Sequence, residues 1–281
     1  MNILYCGDNN IENGLIISIL SLLKNIKEEL HIYILTIELN TNYYSIKTVD
    51  NSCIDQLNNL VKEKNINSFV KKIDITEMFI QELPRINMDT RFTPCCMLRL
   101  WADKIQELPD RILYLDNDVI CRKDITEFYS QNIDNYELVG VLDYYGSWLF
   151  RNNILKRDYL NSGVLLLNLK KIRETGLFEK CRIRCQTTKM FMPDQSAINK
   201  LATSKKIEPR KYNEQRKLHK NTVIQHFTTS FRLFPWFHSV TIKPWDIENV
   251  HNKLKIHEYD DILEEYKNIK NNNKLINKIK N

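Results

Sequence analysis

The segment RILYLDNDVIC (Arg111–Cys121) carries the strongest fold signal in the chain. Its apolar run ILYL has the length of a buried strand and stops at Asp116 and Asp118, after which the chain becomes apolar again. An isolated charge is costly to bury, so these carboxylates are expected at the open end of the strand. Parallel sheets bind ligands at the carboxyl ends of their strands, and residues i and i+2 of an extended chain point the same way. The pattern therefore predicts a site for one hard divalent cation.

A plain alternative exists for this pair of aspartates. The chain has 17 aspartates, so about one D-x-D is expected by chance. Two surface carboxylates that cap a turn would give the same letters. The position after a buried strand favours the metal-binding interpretation.

Length and composition limit the fold class. A chain of 281 residues with 43% hydrophobic residues suits one large α/β domain with room for a small appendage. Six glycines and seven prolines argue against a loop-rich all-β fold. The seven cysteines are irregularly spaced, which predicts buried thiols in a reducing compartment. The apolar run at 14–23 is too short to span a membrane and follows two acidic residues, so we expect a cytoplasmic protein.

The positive charge of the chain leaves several partners open. A net charge of +6 fits a phosphate-bearing small molecule, an anionic membrane surface or nucleic acid, and it also fits a merely lysine-rich surface. The tail Lys267–Lys280 contains no acidic residue. A solvated terminus is the favoured interpretation of this tail, and peripheral contact with anionic lipid at the inner membrane face is the alternative.

The order of predicted elements points to a mostly parallel sheet. Apolar, β-branched segments alternate with helical patterns in the first 75 residues. That alternation implies parallel strands with helices on both faces. The predicted strands are 2–6, 31–37, 68–75, 112–115, 136–143, 162–169 and 221–227. The predicted helices are 13–27, 51–64, one starting at Thr93-Pro94, a short one near 125–129, 170–185, 194–201 and helical segments after Pro244.

Three segments in a fixed order carry a family resemblance. They are RILYLDNDV, YLNSGVLLLNLKK (159–171) and MPDQSAINKL (192–201). The ordered set resembles the family-8 retaining glycosyltransferases, which include bacterial lipopolysaccharide galactosyl- and glucosyltransferases. The resemblance implies a GT-A fold, an α/β Rossmann-like sheet flanked by helices, over residues 1–245. Residues 246–281 would form a helical C-terminal segment that ends in the basic tail.

The resemblance also implies the substrates and the metal. The donor would be a UDP-hexose (a UDP-sugar carrying galactose or glucose), and the acceptor a glycan, glycolipid or glycoprotein rather than nucleic acid. Mn²⁺ or Mg²⁺ would be held by Asp116, Asp118 and His226. The family's late histidine motif is split in this chain, so His238 and Arg232 are rivals for the position of His226.

The donor contacts follow from matching positions in the family. They would come from a first-strand loop, the D-x-D segment, a helical arginine, a strand asparagine and a late lysine. These residues are Asp8, Asn10, Arg99, Asn117, Asn161 and Lys243. For Asp8 the plain alternative is a turn residue at a strand end, and for Arg99 it is a surface arginine.

The resemblance places Asp143, Asp194 and Gln195 at the transferred sugar. An amide is a poor nucleophile, so Gln195 argues against a double displacement. We expect the acceptor hydroxyl to attack from the face that UDP leaves, with Asp143 and Asp194 orienting sugar hydroxyls. Asp194 also follows a proline at a helix start, where it would serve as an N-cap.

Two other functions are alternative interpretations of the same sequence features. A sugar-phosphate nucleotidyltransferase would need a glycine-rich loop after the first strand, where this chain has only Gly7. A degenerate, non-catalytic member would bind a glycan or a partner, and the split histidine motif is its only support.

Overall fold

The computed structural model describes residues 1–41, 44–90, 93–146, 158–232 and 238–280, with side chains except at 231, 232, 238 and 272–280. The strands are β1 Asn2–Cys6, β2 His31–Thr36, β3 Leu39–Asn40, β4 Ser45–Ile46, β5 Phe69–Asp74, β6 Arg111–Leu115, β7 Val119–Cys121, β8 Leu138–Leu142, β9 Leu160–Asn168, β10 Lys205–Ile207, β11 Ile224–His226, β12 Ser230–Arg232 and β13 His238–Val240.

The α-helices of the same residues are α1 Glu12–Asn25, α2 Asn51–Lys64, α3 Thr76–Gln81, α4 Arg85–Met88, α5 Thr126–Ser130, α6 Leu169–Thr175, α7 Leu177–Thr187, α8 Pro193–Leu201, α9 Ile247–Asn252 and α10 Asp260–Lys280. Short 3₁₀ helices cover Asn9–Ile11 and Arg210–Tyr212, and a longer one covers Pro94–Lys104.

A seven-stranded sheet forms the centre, in the order β10-β8-β9-β6-β1-β2-β5. Its neighbouring strands pair in parallel except for β9, which runs antiparallel to both β6 and β8. The predicted α/β fold with a mostly parallel sheet is confirmed. A separate antiparallel pair, β7 with β11, stands next to the carboxyl end of β6.

The sheet is buried on both faces because its central strands are apolar at successive positions. In β1, Ile3 and Tyr5 belong to one hydrophobic cluster, whereas Leu4 belongs to the other. Helices α1, α2 and α10 supply side chains to the first cluster, and Pro94–Lys104, α7 and α8 supply the second. This layering holds the strand ends at one rigid edge, where parallel sheets bind ligands.

The predicted helix 170–185 is two helices, which corrects the sequence interpretation. Gly176 adopts a left-handed conformation with φ of 64° and separates α6 from α7. Glycine tolerates this conformation because it has no Cβ, so a single Gly inside a helical pattern marked the end of α6.

The C-terminal segment packs on the main domain. Tyr259, Ile262, Leu263 and Tyr266 are buried in the same cluster as Leu15 of α1. A domain boundary at residue 245 stays a prediction. Over the described ranges we find no helix with the length and apolarity needed to cross a membrane.

Candidate active site

The carboxyl edge of the sheet collects the predicted site residues. Asp116 and Asp143 directly follow the parallel strands β6 and β8, and Asp8 lies two residues after the end of β1. Strand β9 runs the other way, so its beginning rather than its end lies at this edge. The Asp116 backbone N–H accordingly donates to the Gly163 carbonyl oxygen over 2.8 Å.

Asp116, Asp118 and His226 converge and form what we call the Asp–Asp–His cluster. His226 Nε2 lies 3.1 Å from Asp118 Oδ1 and 3.6 Å from Asp116 Oδ2. The pairing of β11 with β7 sets His226 opposite Val119, beside the D-x-D segment. Asp118 and His226 are buried, and Asp116 is half-buried. The structure thus brings together the three predicted ligands in a group that could hold a metal ion.

The surroundings of the cluster fit a divalent cation. A Cβ at Gly163 would lie 2.1 Å from His226 Cε1 and 2.6 Å from Asp116 Oδ2, so only glycine lets the backbone approach this closely. His226 Nδ1 lies 3.2 Å from Asn213 Oδ1. A hydrogen bond donated by Nδ1 leaves the Nε2 lone pair facing the carboxylates, the arrangement of a metal-binding imidazole. Carboxylate oxygens suit both Mg²⁺ and Mn²⁺, whereas an imidazole suits a transition-metal ion, so this ligand set fits Mn²⁺ better than Mg²⁺.

Lys243 completes the charge balance of the cluster. Its ammonium group forms an ion pair with Asp118 Oδ2 and donates to the Phe227 carbonyl oxygen over 3.2 Å. Burial alone would raise the pKa of Asp118, but opposing contacts, led by the Lys243 ammonium, outweigh it and lower that pKa. Asp118 therefore stays ionised and available to a cation.

Arg99 lies beneath the cluster and is buried, which excludes the surface alternative. Its Nη2 is 3.0 Å from Asp116 Oδ1, and its Nε is 3.3 Å from Asp194 Oδ2. The guanidinium stacks 3.9 Å from the centre of the Tyr114 ring, and Nη1 donates to the Ser162 carbonyl oxygen. Burial alone would lower the pKa of Arg99, but Tyr114 and the two carboxylates raise it, so the group stays charged. Arg99 thus holds Asp116 and Asp194 at a common centre.

A chain of amides connects the cluster to the predicted sugar pocket. Asn213 Nδ2 donates to Asn161 Oδ1 over 2.9 Å, and Asn161 Nδ2 donates to Asp143 Oδ2 over 2.9 Å. Gln195 Nε2 donates to the same carboxylate oxygen over 3.2 Å. The Gln195 amide oxygen accepts from the Ser162 backbone N–H over 2.9 Å, which fixes the amide orientation. The predicted metal ligand His226 and the predicted pocket residues therefore belong to one hydrogen-bonded network.

Asp194 lies at the start of α8, and its side chain faces the predicted sugar pocket. It is an acidic residue of the first turn, directly after Pro193. Its carboxylate contacts Arg99 and accepts from the Ser162 hydroxyl over 3.2 Å. The N-cap interpretation is wrong, because the helix begins at Pro193, which makes Met192 the N-cap residue and Asp194 the second residue of the helix.

The first-strand loop stands at the same edge. Asp8 is buried and accepts hydrogen bonds from the Asn10 backbone and side chain over 3.0 and 3.1 Å. Asn117 lies close to α1, since a Cβ at Gly14 would be 2.3 Å from the Asn117 carbonyl oxygen. The donor contacts predicted for these residues stay predictions.

Sequence reasoning missed Asn213 and Tyr114. Tyr114 donates to Asp116 Oδ1 over 2.6 Å. It precedes Asp116 by two residues and shares its side of the strand, so the alternation of β6 was an available signal. Nothing in a single sequence singles out Asn213. The rivals Arg232 and His238 lie outside the residues with described side chains.

Comparison with known proteins gives a consistent picture. A lipopolysaccharide 1,2-glucosyltransferase of Escherichia coli K12 is 28% identical over 278 residues, covering 87% of this chain and 75% of that protein. A Haemophilus influenzae protein is 26% identical over 191 residues, and the match spans 64% of this chain but only 52% of that relative.

Solved structures share the fold. The galactosyltransferase LgtC, in complex with donor and acceptor sugar analogues, matches with a TM-score of 0.68 and 17% identity over 95% of this chain and 96% of that one. The apo glycosyltransferase GlyE of Streptococcus pneumoniae matches with a TM-score of 0.61 and 17% identity over 96% and 63%. The model of glycosyl transferase family 8 covers residues 2–248, and the chain therefore belongs to glycosyltransferase family 8.

Proposed function

We propose that this transferase is a metal-dependent, retaining enzyme that moves a hexose from a UDP-sugar to a glycan-type acceptor. The observation that carries the proposal is the Asp–Asp–His cluster at the carboxyl edge of the sheet. Its connection through Asn213 and Asn161 to Asp143 and Gln195 supports one site for metal, diphosphate and sugar.

Asp116, Asp118 and His226 would hold Mn²⁺ or Mg²⁺. When bound, the cation acts as a Lewis acid that stabilises negative charge on the leaving diphosphate. Lys243 would add a second positive charge, since its ammonium already lies at Asp118. Both contributions act in a site whose groups are ordered before the donor arrives, where electrostatic stabilisation is strongest.

The remaining donor contacts are proposed from their places around the cluster. The first-strand loop would bind the uracil and phosphates, the D-x-D asparagine the ribose, and the pocket asparagine the transferred sugar. Arg99 would act mainly by holding Asp116 and Asp194, because its Nε, Nη1 and Nη2 atoms all face protein acceptors. The first-strand loop contains Asp8 and Asn10, the D-x-D asparagine is Asn117, and the pocket asparagine is Asn161.

Retention would follow from attack on the face that UDP leaves. A new bond forms between the acceptor oxygen and the anomeric carbon as the bond to the UDP oxygen breaks, and a UDP phosphate oxygen takes the acceptor proton. Gln195 is held between Ser162 and Asp143, which suits a group that orients the sugar. Asp143 and Asp194 would orient sugar hydroxyls. Trapping a covalent glycosyl-enzyme on Asp143 or Asp194 would overturn this route.

The relatives favour glucose or galactose as the sugar and a cell-surface glycan as the acceptor. One relative carries the name lipopolysaccharide 1,2-glucosyltransferase, and one similar structure is a galactosyltransferase. Cytoplasmic location and peripheral membrane contact through the basic tail belong to the same proposal.

A donor screen tests the proposal. Purified protein is melted with UDP-glucose, UDP-galactose and UDP-N-acetylglucosamine, with and without Mn²⁺, and UDP release is then measured. We expect Mn²⁺-dependent stabilisation and slow hydrolysis with one UDP-hexose. Stabilisation without UDP release, even with acceptor glycans added, would identify a non-catalytic binder. Consumption of UTP with release of pyrophosphate would identify a nucleotidyltransferase.

A further inference from the structure

A small cavity borders the Asp–Asp–His cluster on the side of β11. It encloses about 210 Å³ and has His226 in its wall. Pockets for drug-sized ligands measure roughly 300–1,000 Å³, so this one suits a single sugar-sized group rather than a whole oligosaccharide. Phe227, Ile242 and Leu254 give it an apolar side that matches the C–H face of a sugar ring.

The charged side chains that line the cavity are Arg216 and Lys217, which are both positive. Both are exposed, and the described lining of the cavity contains no Asp or Glu. In the described portion of the chain, neither side chain forms an ion pair with a carboxylate. Two cations without a carboxylate partner among the described residues, placed beside a concave surface, attract an anionic ligand.

Arg216 is ordered before any ligand arrives. Its guanidinium carbon lies 4.4 Å from the centre of the Tyr144 ring and 5.9 Å from that of Tyr145. It also donates to the Tyr144 hydroxyl. Stacking on aromatic rings lowers the entropy lost when the guanidinium binds a ligand, and a planar guanidinium matches phosphate or carboxylate oxygens.

The cavity lies next to the transferred sugar of the proposed reaction. Gln215, another lining residue, accepts from the Tyr144 backbone N–H over 2.9 Å and donates to the Leu142 carbonyl oxygen over 3.0 Å. Tyr144 directly follows Asp143, which belongs to the sugar-pocket network. The cavity thus stands between the end of β8 and the metal ligand His226, where an acceptor hydroxyl would approach.

We infer that this cavity binds the acceptor and selects an anionic saccharide, whose phosphate or carboxylate group contacts Arg216 and Lys217. The inference rests on the proposed glycosyl transfer and adds the acceptor's charge to it. Acceptor specificity would then reside in the segment after Tyr212 and not in the D-x-D segment.

Calorimetric titrations with defined probes test the inference. Protein saturated with UDP and Mn²⁺, so that the nucleotide site is filled, is titrated with glucose 6-phosphate, methyl β-D-glucuronide or neutral glucose. The test variant is Arg216→Gln/Lys217→Gln. The matched control is Lys62→Gln/Lys64→Gln on α2, which removes the same charge from an exposed surface.

We expect at least one anionic probe to bind more tightly than glucose and to lose roughly tenfold or more in affinity in the test variant only. The two anionic probes distinguish a phosphate from a carboxylate acceptor. Equal affinities in wild type and test variant, equal losses in both variants, or no preference over glucose would overturn the inference. If UDP and Mn²⁺ themselves fail to bind, the proposed function fails instead, and the same titrations without nucleotide still decide whether the cavity binds anions.

Discussion

Two groups of potential metal ligands differ in ways that distance alone does not reveal. The Asp–Asp–His cluster lies at the sheet edge, and a surface histidine cluster of His251, His257 and Asp260 lies between α9 and the start of α10. In the surface cluster His251 Nε2 is 2.7 Å and His257 Nδ1 is 3.2 Å from the two Asp260 oxygens. By distance and residue type, both clusters qualify as metal sites.

The two clusters differ in the orientation of their histidine rings and in the neighbouring groups that hold those rings in place. The rings of His251 and His257 are stacked, with centres 4.5 Å apart and planes inclined by 23°. A metal lies in the plane of a ligating imidazole, so two nearly parallel rings cannot both direct a nitrogen at one ion without opening. His257 has a side chain 64% exposed, whereas that of His226 is 4% exposed and held by Asn213. A metal site therefore requires convergent lone pairs and outer partners that fix them.

Removal of the Asp116 and Asp118 carboxylates should give the largest effect on Mn²⁺ binding and on transfer. In Asp116→Asn/Asp118→Asn we expect Mn²⁺ binding to vanish and transfer to fall at least about 10³-fold, because several kcal/mol of charge stabilisation are lost. Calorimetry with Mn²⁺ and UDP, followed by UDP release, measures both. Unchanged Mn²⁺-assisted uptake of UDP in this folded variant would refute the metal site.

Substitution of Arg99, the buried arginine beneath the cluster, should have the next largest effect on stability and Mn²⁺ binding. Arg99→Met removes the buried guanidinium that balances and positions Asp116 and Asp194, so the free energy of unfolding should fall by about 3–5 kcal/mol. Mn²⁺ binding should weaken because the two carboxylates lose their fixed positions. Arg182→Met is the matched control, since Arg182 is equally buried and pairs with Glu82 and Asp103 away from the cluster. Urea unfolding should show a comparable loss in both variants. Equal Mn²⁺ affinities in the two would contradict the role of Arg99.

Mn²⁺ affinity should be nearly as sensitive to a substitution at Gly163, where the backbone lies against His226 and Asp116. In Gly163→Ala the new methyl group would collide with His226 and Asp116, so Mn²⁺ affinity should drop roughly 10–100-fold. Gly176→Ala is the control, because its added Cβ meets nothing closer than 3.7 Å and only its φ of 64° is strained. That variant should lose about 1 kcal/mol of stability and keep its Mn²⁺ affinity. Retained affinity in Gly163→Ala would show that the cluster relaxes freely.

Substitution of Lys243 should raise the affinity for Mn²⁺ and lower the affinity for UDP. In Lys243→Met, Mn²⁺ alone should bind up to about tenfold more tightly, because the ammonium no longer competes for Asp118. UDP should bind more weakly to the Mn²⁺-loaded variant, since a positive charge near the diphosphate is lost. Lys206→Met, which removes a lysine on β10 that pairs with Glu208, should change neither affinity. A fall in both affinities for Lys243→Met would mean that Lys243 only supports the fold.

The surface histidine cluster should give the smallest effect. In His251→Gln/His257→Gln we expect the same Mn²⁺ stoichiometry and affinity as in wild type, and stability within about 0.5 kcal/mol. Titrations with Mn²⁺ and then Zn²⁺ provide the measurement. Loss of one bound equivalent of either ion would show that the stacked rings open to bind it, and the distinction between the clusters would fail.

Much of the site could be predicted because it lies at strand ends. Asp116, Asp118 and Asp143 follow apolar runs that the chain can bury only as strands, and the parallel order collects those ends at one edge. Arg99 was harder to predict, because an arginine in a helical segment usually lies at the surface, whereas this one is buried against two carboxylates from distant segments. Asn213 gave no signal, since it lies in an irregular segment and its role depends on two distant partners.

The sequence by itself determined the α/β class, the parallel arrangement of the first strands and the D-x-D pair, because periodicity and burial cost are properties of short segments. Only the tertiary structure decided that β9 runs antiparallel and that the amides of Asn161 and Asn213 join His226 to Asp143. It also decided that one triad of ligands converges while the other stacks. Those features depend on the angles between side chains from separate elements, which packing sets and which no local pattern records.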